Sequence, residues 1–347
     1  MRVHTPVQSR AGIANREANG VRVDIPAQAE RETLRLPVLN ARDILVPFDF
    51  SDASFALLRR LAAVAEQTKA TLHIVHVSDP ESSGLAGDFD GEFSRCAALG
   101  ASAEPLLRYW AGKIMGDRVP FSTWVQAGAP ADEITVMARA LSVDLIVMTT
   151  HGYGRLNDVF LRSTTERVTR QAPCPVLTIP ESELGRIGPE LDGFPTSNWK
   201  RILVRLELSQ AGRAGLQYAA AIALRNRAAL RFLNVLPVDR TANAHPSEVQ
   251  REGQERLLRW VRSHLSAPLE FESAVWMGES PLCAVLLEAK RFRADLIVLP
   301  TRRYDWAKRL RIGSVTDGIL RHAPCAVLSI HEDLCRRMAT VEGKEQA

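Results

Sequence analysis

The second half of this sequence repeats the first. Asp144-Leu145-Ile146-Val147-Met148 recurs as Asp295-Leu296-Ile297-Val298-Leu299, and Ala172-Pro173-Cys174-Pro175-Val176-Leu177 as Ala323-Pro324-Cys325-Ala326-Val327-Leu328, both 151 residues further on. Two long matches in one register are hard to obtain by chance and mark an internal duplication. Early in each half the offset is larger: Ser51 corresponds to Ser209, 158 residues away, and a shorter middle loop in the second copy absorbs the difference. Each copy must bury a core of its own. The second copy can also use the surface that would otherwise make a homodimer, giving pseudo-two-fold symmetry within one chain. A length of 347 residues suits two domains of this kind.

The elements inside each copy alternate. Asp43–Pro47 reads as a short buried strand, and Ser51 as the N-cap of a helix whose Ala53, Ala56, Leu57, Leu61 and Val64 follow helical spacing. Thr71–Val77 is β-branched and strand-like. A helix is expected from about Phe93 to Met115, with a break or kink at Pro105. A strand at Phe121–Gln126 and a helix at Pro130–Leu141 follow. The fully apolar Leu145–Met148 suits a central parallel strand, and a helix at Ser163–Gln171 and a strand at Pro175–Ile179 close the unit. The second copy opens with Arg201–Val204, Ser209 before an Ala/Leu-rich helix, and Leu230–Val235. Strands alternating with helices of this length imply right-handed crossovers and parallel sheets covered on both faces. The expected fold is therefore α/β: two doubly wound five-stranded domains, at residues 42–180 and 200–331. Residues 1–41 read as a flexible extension, in which Thr33–Val38 could add an edge strand. A Gly- and Pro-rich linker spans residues 181–199, and residues 332–347 form a C-terminal tail.

Composition narrows the function classes. A net charge of +4 is small for this length and argues against a nucleic-acid partner. The basic run Arg302, Arg303, Lys308, Arg309 and Arg311 reads as a solvated face. No apolar run approaches membrane-spanning length, and the start of the chain has no secretory signal. Five cysteines form neither a CxxC pair nor a metal-ligand spacing, which suits a reducing compartment; the expected location is the cytoplasm. Cys174 and Cys325 read as small buried residues. His73 and His76 differ in parity along their strand and so cannot share a metal.

In a doubly wound sheet, ligands sit beyond the carboxyl ends of the strands, where the strand order switches. Those ends carry Pro47, Asp49 and Ser51, then His76-Val77, then the loop from Thr149 into the last helix. A phosphate there would meet backbone N–H groups at a helix N-terminus, and glycine would permit its close approach. Here the chain resembles the universal stress protein family, specifically its tandem two-domain members. In that family the loop after the fourth strand reads G-x-x-G, nine residues, then G-S or G-T, and holds the phosphates and ribose of ATP in members that bind it. An acidic residue after the first strand lies near ribose or metal, and a backbone group after the second meets adenine.

Carried over on the matching positions, the resemblance implies a first site of Pro47, Asp49, Ser51, Val77, Thr149, His151, Gly152, Arg162, Ser163 and Thr164. Thr149 and Arg162 stand where the family has glycine, while Gly152 and Ser163 match. Arg162 reads either as a surface arginine on a vestigial loop or as a guanidinium that pairs with phosphate in place of backbone donors. A weaker second site comprises Glu207, Val235, Gly313, Ser314 and Val315. There Pro300, Thr301, Arg302 and Arg303 replace the first glycine pair, and Arg205 stands in place of Pro47. The implied ligand is ATP or another adenine nucleotide, with Mg²⁺ as a companion to which Asp49 or Asp52 could contribute. The implied partners are proteins or a second copy of the chain. Ser51 reads as a cap rather than a nucleophile, and no triad or carboxylate pair stands out, so the chain is expected not to be an enzyme. Two alternatives stand beside this reading: an interaction protein with both pockets vestigial, and a weak Mg²⁺-dependent ATPase.

Overall fold

The computed structural model describes residues 19–23, 41–78, 103–150, 164–186, 199–237, 245–265, 269–301, 314–332 and 334. The first copy runs β2 (Asp43–Pro47), α1 (Asp52–Thr68), β3 (Thr71–Ser78), α2 (Ala103–Met115), β4 (Phe121–Ala127), α3 (Pro130–Ala140), β5 (Leu145–Thr149), α4 (Thr164–Gln171) and β6 (Val176–Ile179). After a 3₁₀ turn at Glu181–Arg186, the second copy repeats it as β7 (Arg201–Arg205), α5 (Gln210–Asn226), β8 (Ala229–Leu236), α6 (Pro246–His264), β9 (Leu269–Met277), α7 (Pro281–Phe292), β10 (Leu296–Thr301), α8 (Ser314–His322) and β11 (Ala326–His331). Both copies are doubly wound, as the alternation of elements predicts. Helix α2 is described from Ala103, so Pro105 lies in the first turn of the described helix.

The two five-stranded sheets are continuous. With one further strand, β1 (Asn19–Val23), the strand order is β1-β9-β8-β7-β10-β11-β6-β5-β2-β3-β4, parallel within each copy. The copies meet where β6 and β11 pair antiparallel, with Leu177 directly opposite Leu328 and Val176 opposite Ser329. Leu177 and Leu328 are the same position of the repeat, so the pseudo-two-fold axis passes between them. Strand β1 pairs antiparallel with β9. This corrects the expectation that the extension contributes no fixed element outside Thr33–Val38, a segment that lies outside the described residues.

The layers follow from side-chain parity. Helices α1, α2, α5 and α6 cover one face of the sheet and share one continuous core, from Leu57 and Leu107 through Leu177 and Leu328 to Ile222 and Leu257. On the other face α3 and α4 bury one cluster around Ile146 and Val176, and α7 and α8 a separate one around Ile297 and Val327. Cys174 and Cys325 are buried in these two clusters, at equivalent positions.

The first residue of each DLIV motif has a structural task. Asp144 Oδ2 accepts from the backbone N–H of Arg42 at 2.8 Å and of Asp43 at 3.1 Å. Asp295 does the same for Lys200 and Arg201, at 2.8 and 3.0 Å. Each carboxylate therefore clamps the start of the neighbouring central strand, β2 or β7. Burial pushes the Asp295 carboxyl above the usual range, opposed by these backbone donors. Replacing Asp144 by alanine leaves two strand-end donors unpaired and is expected to cost about 1–3 kcal/mol, read from urea unfolding of the variant against the parent chain.

Candidate functional site

At the carboxyl end of β2 the chain makes a turn held by its own side chains. Phe48 N–H donates to Val75 O at 2.8 Å, extending the β2–β3 ladder by one residue. Asp49 Oδ1 then accepts from Ser51 N–H at 3.0 Å and from Ser51 Oγ at 2.6 Å. Ser51 Oγ in turn accepts from Ser54 N–H at 3.1 Å and so caps α1. Between them Phe50 has φ 60°, the left-handed region that a bulky side chain rarely enters. Its ring is 3% exposed and packs edge-on against Phe48 and His76, at centroid distances of 5.0 and 4.9 Å. Burial of the ring offsets the strain, and the Asp49 carboxylate is held in one place. Sequence reading missed Phe50, because nothing in Asp-Phe-Ser signals a positive φ.

His76 closes the other side of this turn. Its Nδ1 lies 2.9 Å from the carbonyl oxygen of Phe48, which can only accept, so Nδ1 carries the hydrogen. Burial lowers the His76 pKa, outweighing the Phe48 bond and the nearby Asp49 charge. His73, on the opposite face, is taken up by Asp43 and Ser122, at 3.0 and 2.8 Å.

The remaining first-site positions gather at the switch point between β2 and β5. Pro47 ends β2, Val77 lies near the end of β3, and Thr149 ends β5. All three are partly buried. Thr164 opens α4, and its neighbour Thr165 donates through Oγ1 to Thr149 O at 3.5 Å. The expected loop residues His151, Gly152, Arg162 and Ser163 lie outside the described residues, as does Gly313 of the second site.

The second copy keeps the scaffold and changes the crevice. Asn234 stands where His76 does and donates through Nδ2 to Leu206 O at 2.8 Å, the counterpart of the Phe48 bond. Arg205, which stands in place of Pro47, pairs with Glu207 at 2.7 Å, so the acidic residue already faces a cation. Pro300 occupies the position of Thr149 and presses on Gly215 of α5, where an added Cβ would come within 2.4 Å of the proline Cγ. At Gly212, in the first turn of α5, a Cβ would lie 1.9 Å from the carbonyl oxygen of Glu207. Val235 and Val315 pack on the cluster between α7, α8 and the sheet, and Ser314 is the first residue of α8. Among the described residues no three His, Cys, Asp or Glu side chains gather as a metal site, and no helix is long and apolar enough to cross a membrane.

A profile of the universal stress protein family matches residues 40–180 and 198–331, and the chain belongs to that family. One curated relative, a universal stress protein of Methanocaldococcus jannaschii, is 30% identical over 141 residues, covering 40% of this chain and 81% of the relative. Another, from Thermus aquaticus, is 32% identical over 139 residues, covering 40% of this chain and 98% of the relative. The crystal structure of a universal stress protein from Archaeoglobus fulgidus shares the fold at a TM-score of 0.55 and 18% identity, covering 84% of this chain and 99% of that one.

Two substitutions test the geometry of the crevices. His76→Asn supplies the donor that Asn234 supplies in the second copy, so it should fold with the Phe48 bond intact. A histidine whose folded pKa is depressed takes up its proton more readily when unfolded, so it erodes stability as pH falls below its ordinary value of about 6.5. Thermal melts from pH 8 to pH 5 should show that this component of acid destabilisation is missing in His76→Asn. In the second copy, Gly215→Ala should cost about 1–3 kcal/mol by overpacking against Pro300, and adding Pro300→Ala should recover most of it in chemical denaturation.

Proposed function

We propose that this chain is a cytoplasmic stress-response module that binds an adenine nucleotide (ATP, ADP or AMP) in the first crevice and uses the second copy as structural support. The observation that carries this reading is the difference between the two crevices. In the first, the Asp49 carboxylate stands on a turn made rigid by Ser51, Phe50 and His76, at the switch in strand order. In the second, Pro300 packs onto α5 and Glu207 is paired with Arg205. Pro47, Asp49 and Val77 would line the base and ribose end. Thr149 and Thr164 bracket the segment that would meet the phosphates, and a Mg²⁺ carried by those phosphates would draw on Asp49 or Asp52. The output of such a module would be an altered surface for a protein partner or a second copy.

Binding without chemistry fits the hydrogen bonds better than hydrolysis. The Ser51 hydroxyl donates its proton to Asp49 and accepts from Ser54, so it serves to hold the turn and cap α1.

Titration calorimetry of the full chain with ATP, ADP and AMP, each at millimolar concentration, should give heat with at least one of them. Asp49→Asn keeps the acceptor for Ser51 and removes the charge; it should weaken binding by about tenfold, roughly 1.4 kcal/mol. Glu207→Gln should leave binding unchanged. No heat with any of the three nucleotides would sink the assignment. Steady Mg²⁺-dependent phosphate release from ATP, lost in Asp49→Asn, would replace it with a hydrolase.

A further inference from the structure

The two outer edges of the sheet are treated differently, although they are the same strand of the repeat. β9 is covered by β1, whereas β4 has β3 as its only strand partner among the described residues. The phase of β4 follows from two backbone bonds at its ends: Leu72 N–H donates to Pro120 O, and Gly128 N–H donates to Ser78 O, both at 3.0 Å. In a parallel ladder alternate residues bond to the neighbour, so Ser122, Trp124 and Gln126 direct their main-chain groups toward β3. The N–H and C=O groups of Phe121, Thr123, Val125 and Ala127 therefore point outward.

Exposed edges are commonly blunted by charged residues, proline, a bulge or a covering segment. β4 reads Phe-Ser-Thr-Trp-Val-Gln-Ala, with no charge and no proline. Trp124 is 37% exposed, and its Nε1 donates to Ser122 Oγ at 2.9 Å, so the indole offers apolar surface with its polar atom satisfied. We propose that the outer edge of β4 pairs antiparallel with β4 of a second copy, centred on Trp124, so that two molecules share one sheet. In that register Thr123 of one copy lies opposite Val125 of the other and Phe121 opposite Ala127, all positions with outward main-chain groups. The two Trp124 residues meet at the axis as a non-hydrogen-bonded pair, where side chains approach most closely.

The molecule supplies the precedent and the choice of partner. Where its own sheet gains a strand across an edge, at β6–β11 and at β1–β9, the addition is antiparallel and made with this chain. The segment Asn19–Val23 of a second copy suits the β4 edge less well. On β9 it sets Arg22 opposite Glu270 and Gly20 opposite Glu272, whereas the matching positions on this side are Pro120 and Ser122. A neutral edge accepts its own copy without charge repulsion. This inference does not depend on the nucleotide reading.

Light scattering on the eluting full chain, over protein concentrations of about 1–100 µM, should give twice the monomer mass of 38.3 kDa at the upper end. Thr123→Pro removes an outward donor and no bond to β3, and Trp124→Lys sets like charges against each other at the axis. Both variants should elute as monomers with unchanged far-ultraviolet circular dichroism; if the proline variant fails to fold, Trp124→Lys alone decides. In Trp124→Cys, oxidised glutathione should join two chains through a disulfide, with the glutathione disulfide reduced to two thiols, giving a reducible dimer absent from the parent chain. A parent chain that stays monomeric, a dimer that survives Trp124→Lys, or a dimer lost on removing residues 1–23 would overturn the proposal.

Discussion

The antiparallel pairing of β6 with β11 is the constraint on which the rest of the molecule depends. It turns two five-stranded sheets into one and sets Leu177 against Leu328, so that a single core runs beneath α1, α2, α5 and α6 across both copies. It also decides where chemistry can occur. The last strand of each copy runs opposite to the other, so the carboxyl ends of the two parallel sheets face opposite ends of the molecule. The two crevices cannot combine into one site, and each has to be judged alone.

Judged that way, the copies have diverged through linked changes rather than simple loss. The bond from the second strand to the carbonyl after the first is kept, through His76 in one copy and Asn234 in the other. The turn that follows differs. Asp49 and Ser51 bond through side chains around a left-handed Phe50, whereas Ser209 N–H donates to the backbone oxygen of Glu207 at 2.8 Å. Pro300 with Gly215 replaces Thr149 with Leu57, so the proline ring at the strand end lies against the place that a side chain on the helix would occupy. These substitutions maintain packing while they change the side chains at the ends of the parallel strands in the second copy.

The outer strands show the same divergence in their charges. Arg231 takes the place of His73 and forms ion pairs with Glu272 and the buried Glu288, while Trp276 donates to Glu288 at 2.8 Å. The equivalent region of the first copy is neutral on β4, where Ser122 stands in place of Glu272. One edge of the sheet is thus charged and covered, while the other is neutral and has no further strand on it among the described residues. The duplication also extends further than the matched motifs: Leu107, Ala111 and Met115 of α2 are buried, as are Leu257, Val261 and Leu265 at the corresponding positions of the second copy. Little identity marks this segment, because any apolar residue of suitable size can fill the same space.

The sequence by itself determined the duplication, the order of elements, the caps at Ser51 and Ser209, and the crevice at the ends of the parallel strands. These are local signals, set by hydrophobic period, capping chemistry and repeat register. Only the tertiary structure decided that Asn19–Val23 forms a strand on β9, that Phe50 adopts a positive φ, and that Arg205 is spent on Glu207. It also showed that Pro300 sits against Gly215. Each depends on a neighbour remote in the chain or on a side chain's direction, which no local pattern records. The family relationship joins the two: motifs legible in the sequence led to it, and the packing around them shows how differently its two copies have been used.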